Sequence, residues 1–286
     1  MPDSKFQNDY YTIGGDLKVR RFGYGAMRVT GKGIWGPPKD HAEALAVLRR
    51  TVELGINFID TADSYGPNIS EEIIAEALYP YPEDLIIATK GGLLRAGPDQ
   101  WSPDGRPEHL KEALEGSLKR LRLDRIDLYQ FHRPDPKVPL EESLGLLAEM
   151  QKQGKIRHIG LSNVNAEQLQ QAQQVATIVS VQNLYNLTNR SSEDMVDVTE
   201  PQDIAFIPWF PLATGNLAQP GGKLDEIAHN HQATPAQVAL AWLLKRSPNM
   251  VPIAGTSSVA HLEENINGAE IELSDAEFAA LANLQT

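Results

Sequence analysis

Apolar residues recur along the chain with two spacings, and the two alternate regularly. Short runs rich in β-branched and aromatic residues are typical of buried strands, and eight occur, at 22–25, 56–59, 85–88, 126–129, 156–159, 178–181, 205–208 and 250–253. Between these runs apolar residues repeat at helical spacing, as in Ala44, Leu48 and Val52. Gly55 and Gly154 stand where a helix commonly ends in a left-handed residue before the next strand. The pattern predicts eight strand–helix units.

Units of about 30 residues each fit a closed parallel barrel, which needs about 250 residues in all. A doubly wound open sheet is the alternative, but no Gly-x-Gly-x-x-Gly motif follows the first strand. Two short alternating runs at 10–13 and 17–20, joined by a Gly-Gly-Asp turn, predict a hairpin before the barrel, and 275–281 predict a final helix. We therefore predict an α/β fold, a (β/α)8 TIM barrel with an N-terminal β-hairpin and a C-terminal helix, formed by 1–286 as one domain.

The composition narrows the classes of function. Lys and Arg number 26 against 38 Asp and Glu, so the formal net charge is −12, which disfavours binding to nucleic acid. The chain has no cysteine, which excludes disulfides, zinc–thiolate sites and thiol nucleophiles. We find neither a signal peptide nor an apolar run of about 18 residues that would cross a membrane. We expect a cytoplasmic protein with no nucleic-acid or membrane partner, either a monomer or a weak oligomer.

Four side chains of complementary chemistry follow three successive strands. Asp60 and Tyr65 follow the second strand, Lys90 ends the third and His132 ends the fourth. In a barrel the chemistry lies where the strands end, so we expect these side chains at one rim. A phenol with a pKa of about 10 is a poor acid at neutral pH. An ammonium beside it lowers that pKa, and a carboxylate holds the ammonium in place. The chain has no redox-competent group of its own, so any reduction needs a bound cofactor.

The segments around these residues resemble the signatures of the aldo-keto reductase superfamily, and they are similar to a bacterial branch that includes pyridoxal reductases. The similarity covers nearly the whole chain, and the matching segments are 55–66 (GINFIDTADSYG), Lys90, 128–132 (LYQFH), 154–163 (GKIRHIGLSN), 181–186 (VQNLYN), 253–258 (IAGTSS) and 262–265 (LEEN). The resemblance implies a catalytic tetrad of Asp60, Tyr65, Lys90 and His132. In it Tyr65 would protonate the carbonyl oxygen and His132 would orient the substrate. Lys90 and Asp60 would tune Tyr65.

The resemblance also implies a nicotinamide dinucleotide site along the same rim. Ser162, Asn163 and Gln182 match side chains that hydrogen-bond the nicotinamide carboxamide, and Trp209 takes the place of an aromatic residue stacked on that ring. The other implied cofactor contacts are Asp60, Met27 near the ribose, Leu212 and the loop after it over the pyrophosphate, and Glu264 and Asn265 at the adenine.

The segment after the eighth strand departs from the family pattern. Where NADPH-specific members commonly place a Lys and an Arg against the adenosine 2′-phosphate, this sequence has Gly255 and His261. Thr256 and Ser258 offer hydroxyls, and the backbone N–H groups of the helix that starts at Val259 favour an anion. We expect NADPH as the cofactor, with NADH left open.

The resemblance makes the substrate a small-molecule aldehyde or ketone, with pyridoxal as a specific candidate. Candidate pocket walls are Trp35, Trp101, Phe131 and Phe210, and candidate residues for attracting an anionic substrate are Arg95, Arg106 and Arg133. Two long loops, 91–107 and 209–222, are rich in Gly, Pro and polar residues and are expected to form surface lids.

Two other functions fit parts of this pattern. Some barrels resembling this one serve as cofactor-sensing subunits, so a regulatory binding module is the main alternative to an NADPH-dependent carbonyl reductase. A metal-dependent hydrolase is the third hypothesis. It is disfavoured because few carboxylate and His residues, the side chains that would bind the metal, converge at the strand ends. His229 and His231, at i and i+2, face different directions on a helix. We predict no metal site.

Overall fold

The computed structural model describes residues 10–212 and 222–284. Its strands are β1 (Tyr10–Ile13), β2 (Leu17–Arg20), β3 (Gly23–Gly25), β4 (Phe58–Asp60), β5 (Ile86–Gly91), β6 (Leu93–Gly97), β7 (Gln100–Pro103), β8 (Ile126–Phe131), β9 (Ile156–Ser162), β10 (Ile178–Gln182), β11 (Ala205–Phe206) and β12 (Ile253–Ala254). Its helices are α1 (His41–Glu53), α2 (Ile69–Leu78), α3 (Pro107–Leu121), α4 (Leu140–Lys152), α5 (Ala166–Gln173), α6 (Glu193–Thr199), α7 (Lys223–Asn230), α8 (Pro235–Arg246), α9 (Val259–Asn267) and α10 (Asp275–Ala282).

Eight parallel strands form one sheet that closes on itself. Around the sheet β3, β4, β5, β8, β9, β10 and β11 follow one another, and β12 lies on the other side of β3. The gap between β11 and β12 is bridged by Phe206, which pairs with Met250 and accepts a 2.9 Å hydrogen bond from the backbone of Val251. The predicted (β/α)8 barrel with its N-terminal hairpin and C-terminal helix is confirmed.

Strand residues alternate between two apolar cores. Phe58 and Leu128 belong to an inner cluster to which no helix contributes, whereas Ile59 and Tyr129, one residue further along, pack with side chains of the surrounding helices. Leu17 of the hairpin joins the inner cluster. The hairpin therefore covers the end of the barrel where the strands begin, and the other end is left for a site.

The last two barrel strands are shorter than predicted. β11 stops at Phe206 and β12 starts at Ile253. Pro208 and Pro252 have no backbone N–H to donate to a strand ladder, which explains both limits.

The segment 91–107, predicted as a long loop, contains two strands. β6 and β7 form an antiparallel hairpin in which Arg95 lies opposite Trp101. Leu93 is buried and Leu94 exposed, so a two-residue alternation prevails over the Gly and Pro content. The other predicted lid, 209–222, lies mostly outside the described residues, including the loop expected over the pyrophosphate.

No helix in the described ranges is long and apolar enough to span a membrane.

Candidate active site

Lys90 is the centre of a buried cluster at the end of the barrel where the strands stop. Its side chain is 0% exposed. Nζ donates hydrogen bonds to Asp60 Oδ1 at 2.6 Å, to the Thr61 carbonyl at 2.9 Å and to the Tyr65 hydroxyl at 3.3 Å. A buried ammonium keeps its charge only when it is paired, and this one has three acceptors. Pairing of β4 with β5 brings Asp60 and Lys90 together.

The second oxygen of Asp60 is held by two amides from across the barrel. Gln130 Nε2 donates to Oδ2 at 2.8 Å and Gln182 Nε2 donates to it at 2.9 Å. Gln182 also donates to Gln130 Oε1 at 3.1 Å. The amide nitrogen of Gln182, which is predicted to face the nicotinamide carboxamide, is therefore bonded to Asp60 in this structure. Sequence reasoning missed Gln130, although its spacing of two from Leu128, an inner-core residue of the same strand, places it on the inner face.

Burial decides the protonation of Tyr65. It raises the pKa of the phenol above its ordinary value, the ammonium of Lys90 opposes this rise, and the carboxylate of Asp60 adds to it. The expectation of a lowered pKa is therefore wrong for this structure, because loss of hydration outweighs the attraction of one ammonium. The hydroxyl stays protonated at neutral pH, which is the form that a proton donor needs.

His132 lies beside the phenol as a neutral imidazole. Burial, together with the positive charges of Lys90 and Arg133, holds the pKa of His132 well below its ordinary value. Its ring meets the Tyr65 ring edge-on at 5.9 Å between centroids, and Nδ1 lies 3.4 Å from Ser64 Oγ. The structure thus brings all four tetrad residues of the prediction together at one place.

A cavity of about 770 Å³ opens above this cluster. The residues predicted to contact the cofactor that line it are Met27, Asp60, Ser162, Asn163, Gln182, Trp209, Leu212 and Gly255. Asn163 has a left-handed backbone, and its side-chain amide donates to the His132 carbonyl at 3.1 Å. Phe210, also on the cavity, is left-handed as well. Such costly backbone conformations in non-glycine residues are concentrated at functional sites.

The remaining predicted cofactor residues do not line this cavity. They are Thr256, Ser258, His261, Glu264 and Asn265. Thr256 accepts from the Tyr24 hydroxyl through its carbonyl at 2.6 Å, and His261 is exposed. At the start of α9, Glu43 Oε1 accepts a 2.9 Å hydrogen bond from the backbone of Val259. One of the backbone N–H groups expected to bind an anion therefore already donates its hydrogen bond to the carboxylate of Glu43.

Several predictions for the substrate pocket need correction. Trp101, Phe210 and Arg133 do line the cavity. Phe131 does not, because it is fully buried in the outer core, and Trp35 does not line it either. Arg106 is bound to the neighbouring Asp104. Cavity residues that the sequence reasoning missed include Arg28, Lys32, Ile34, Leu93 and Asp99.

No cluster of three His, Asp or Glu side chains that would hold a metal ion occurs in 10–212 or 222–284. The carboxylate of Asp60 instead accepts from an ammonium and two amides, which are hydrogen-bond donors. The carboxylate of the site is therefore occupied by hydrogen-bond donors.

Comparison with known proteins shows which sequences this chain is similar to. The family model described as the aldo/keto reductase family matches residues 21–286. An uncharacterized oxidoreductase of Schizosaccharomyces pombe is 53% identical over 93% of this chain and 87% of its own length. Pyridoxine 4-dehydrogenase of Escherichia coli is 45% identical over 93% and 95% of the two chains.

A solved structure gives the same result for the fold. The aldo-keto reductase of Klebsiella pneumoniae in complex with NADPH is 26% identical, with a TM-score of 0.81 over 96% of this chain and 94% of that one. The chain therefore belongs to the aldo/keto reductase family and is an oxidoreductase.

Proposed function

We propose that the chain is an NADPH-dependent reductase that converts aldehydes or ketones into alcohols. The observation that carries the proposal is the position of Lys90 Nζ, which bridges Asp60 Oδ1 and the Tyr65 hydroxyl beneath the cavity. Carbonyl reduction needs a proton donor and a group that stabilises the phenolate left behind. This arrangement offers both, in Tyr65 and Lys90.

The cavity has features that fit a phosphorylated dinucleotide. Arg28 and Lys32 line it and offer positive charge to phosphates. Trp209 Nε1 is buried with no hydrogen-bond partner among the described residues, and an acceptor on a ligand would satisfy it. A Cβ at Gly255 would lie 2.5 Å from the Gly25 carbonyl, so only glycine permits this close approach of two strand ends. Met27, Ser162, Asn163, Trp209 and Leu212 would hold the nicotinamide half, and Thr256, Ser258, His261, Glu264 and Asn265 would face the adenosine end.

Each tetrad residue has one task in the proposed reaction. When bound, the reduced nicotinamide supplies the hydride for the carbonyl carbon. His132, a neutral imidazole, hydrogen-bonds the substrate oxygen and directs it toward Tyr65. The Tyr65 hydroxyl gives its proton to that oxygen, and the ammonium of Lys90 stabilises the phenolate. Asp60 keeps Lys90 charged and in position.

We infer that the substrates are small aromatic aldehydes, with pyridoxal among them. Trp101 and Phe210 offer aromatic surfaces on the cavity, and Arg133, next to His132, offers a positive charge. A pyridine aldehyde with a hydroxyl group matches both. The relative from E. coli named for pyridoxine adds support.

The test is NADPH oxidation by the purified protein with pyridoxal, benzaldehyde and methylglyoxal, each repeated with NADH. We expect turnover with NADPH and the highest kcat/KM with an aromatic aldehyde. A protein that binds NADPH but oxidises it with none of these carbonyls would instead be a cofactor-sensing module.

A further inference from the structure

Arg95 lies in β6, on the β6–β7 hairpin beside the cavity, and its guanidinium hydrogen-bonds three segments of the chain. It donates five hydrogen bonds, all to backbone carbonyls: Ile34 at 2.7 Å, Gly33 at 2.8 Å, Ser64 at 3.0 Å, Gly97 at 3.2 Å and Gln100 at 3.2 Å. Two of these acceptors lie in the loop after β3, one precedes Tyr65 and two lie in the hairpin itself. None of the ion pairs found within 10–212 and 222–284 includes Arg95. The side chain acts as a clamp on the backbone.

The same guanidinium stacks on the indole that faces the reacting phenol. Its carbon lies 3.6 Å from the Trp101 ring centroid and 5.6 Å from that of Trp35. Trp101 meets Tyr65 edge-on at 6.4 Å between centroids, with an interplanar angle of 86°. Arg95 therefore covers one face of Trp101, and the Trp101 and Tyr65 rings, which both line the cavity, stand almost perpendicular to each other.

The loop held by Arg95 has a backbone that needs external support. Ile34 has a φ of 54°, a left-handed conformation that is a genuine outlier for a β-branched residue. Such strain persists only where the surroundings fix it. Both Gly33 and Ile34 line the cavity, and the Asp99 backbone at the hairpin turn donates to the Gly33 carbonyl at 3.1 Å. Loop and hairpin thus meet over the cavity, and Arg95 contributes two of the hydrogen bonds between them.

We propose that Arg95 is a positioning residue, which sets the specificity for aromatic carbonyl substrates by holding Trp101 edge-on to Tyr65. The inference rests on the proposed reductase function and adds to it the residue that determines the preference for aromatic substrates. A planar aromatic aldehyde with its carbonyl at Tyr65 places its ring against the indole, whereas a short aliphatic aldehyde does not reach it. Loss of the clamp therefore affects aromatic substrates first.

The test is a double-mutant cycle of Arg95→Ala and Trp101→Leu, with KM and kcat measured for benzaldehyde and for propanal. Arg95→Ala is expected to raise KM for benzaldehyde about tenfold, the upper range of one aromatic contact, with KM for propanal changed less than twofold. Trp101→Leu should do the same, and the double variant should match Trp101→Leu alone because both changes remove one contact. Arg95→Lys, which keeps the charge but not the fork of donors, should recover only part of the loss.

Controls separate this role from general stability and from the proposed function. Arg106→Ala, an exposed arginine beyond the same hairpin, should leave both KM values unchanged, and the NADPH dissociation constant of Arg95→Ala should stay within twofold of wild type. Additive effects in the cycle, or equal losses for both aldehydes, would overturn the positioning role. Wild-type protein that does not reduce benzaldehyde at all would overturn the proposed function.

Discussion

Lys90 and Asp63 are both buried close to Tyr65, yet they differ in the charge they carry. Burial alone would lower the pKa of Lys90, but Asp60 and Tyr65 raise it above its ordinary value, so the ammonium persists. Asp63 Oδ1 has no hydrogen-bond partner among the described residues. Burial, with the nearby carboxylate of Glu71, raises the pKa of Asp63 to about 8. At the scale of single residues, the balance between lost hydration and the sign of the neighbouring charges decides which buried group stays ionised.

The raised pKa of Asp63 predicts that stability falls as the pH rises. Between its unfolded value of about 4 and its folded value of about 8, the native state holds a proton that the unfolded state has lost. From pH 6 to pH 8, wild type should lose about 2 kcal/mol of unfolding free energy relative to Asp63→Asn, whose amide does not titrate. Urea unfolding at the two pH values measures this difference. Parallel changes in the two proteins would show that Asp63 ionises normally.

At the scale of elements, we propose that the start of α9 contributes to the preference between NADPH and NADH. Glu43 of α1 accepts from the Val259 backbone there, and a carboxylate is stabilised at a helix N-terminus. The family resemblance places the adenosine 2′-phosphate near this segment, where the usual Lys and Arg are replaced by Gly255 and His261. The exposed side chain of Arg28, whose Cγ would lie 3.7 Å from a Cβ at Gly255, adds a positive charge on the cavity side.

Glu43→Gln is therefore expected to improve NADPH binding relative to NADH binding. Removing a negative charge beside a phosphate at a helix N-terminus should change the ratio of the two dissociation constants about threefold. Titration of the intrinsic tryptophan fluorescence with each cofactor measures both constants. Glu53→Gln, at the other end of α1 and paired with Arg50, is the matched control and should leave the ratio unchanged. An unchanged ratio in Glu43→Gln would contradict a role for this carboxylate.

Sequence patterns predicted what depends on local spacing and missed what depends on contacts between distant segments. Strand periodicity and the positions of the strand ends predict that four side chains lie together at one rim of the barrel, namely Asp60, Tyr65, Lys90 and His132. The contact of Glu43 with the Val259 backbone joins residues 216 positions apart, so no local sequence pattern predicts it. The sequence shows the charge of Arg95, which makes it a candidate for attracting a substrate or a solvated loop residue, but it does not show the five carbonyl acceptors. The raised pKa of Tyr65 has the same origin, because the burial that causes it is a property of the assembled site.

At the scale of the whole molecule, the two ends of the barrel have separate tasks. The hairpin of β1 and β2 buries Leu17 in the inner core at one end, and the tetrad lies at the other. Stability and chemistry can therefore be perturbed independently, as is general for this architecture. That 1–286 form one domain stays a prediction.

Leu17→Ala is expected to lower the free energy of unfolding by about 3 kcal/mol, because it leaves a cavity in the inner core. kcat/KM at a temperature well below unfolding should stay within twofold of wild type. Leu94→Ala, at a leucine that is 41% exposed, is the control and should change stability little. A large loss of kcat/KM in Leu17→Ala would show that the two ends of the barrel are coupled.

The most direct measurement compares Tyr65→Phe with Tyr129→Phe, both at buried tyrosines, for aldehyde turnover and for the NADPH dissociation constant. Tyr129 makes no side-chain hydrogen bond within the described residues, so its variant should keep wild-type turnover. Tyr65→Phe removes the proton donor, so kcat should fall by about 100-fold or more while the dissociation constant stays within twofold. Wild-type turnover by Tyr65→Phe would contradict the assignment of Tyr65 as the acid.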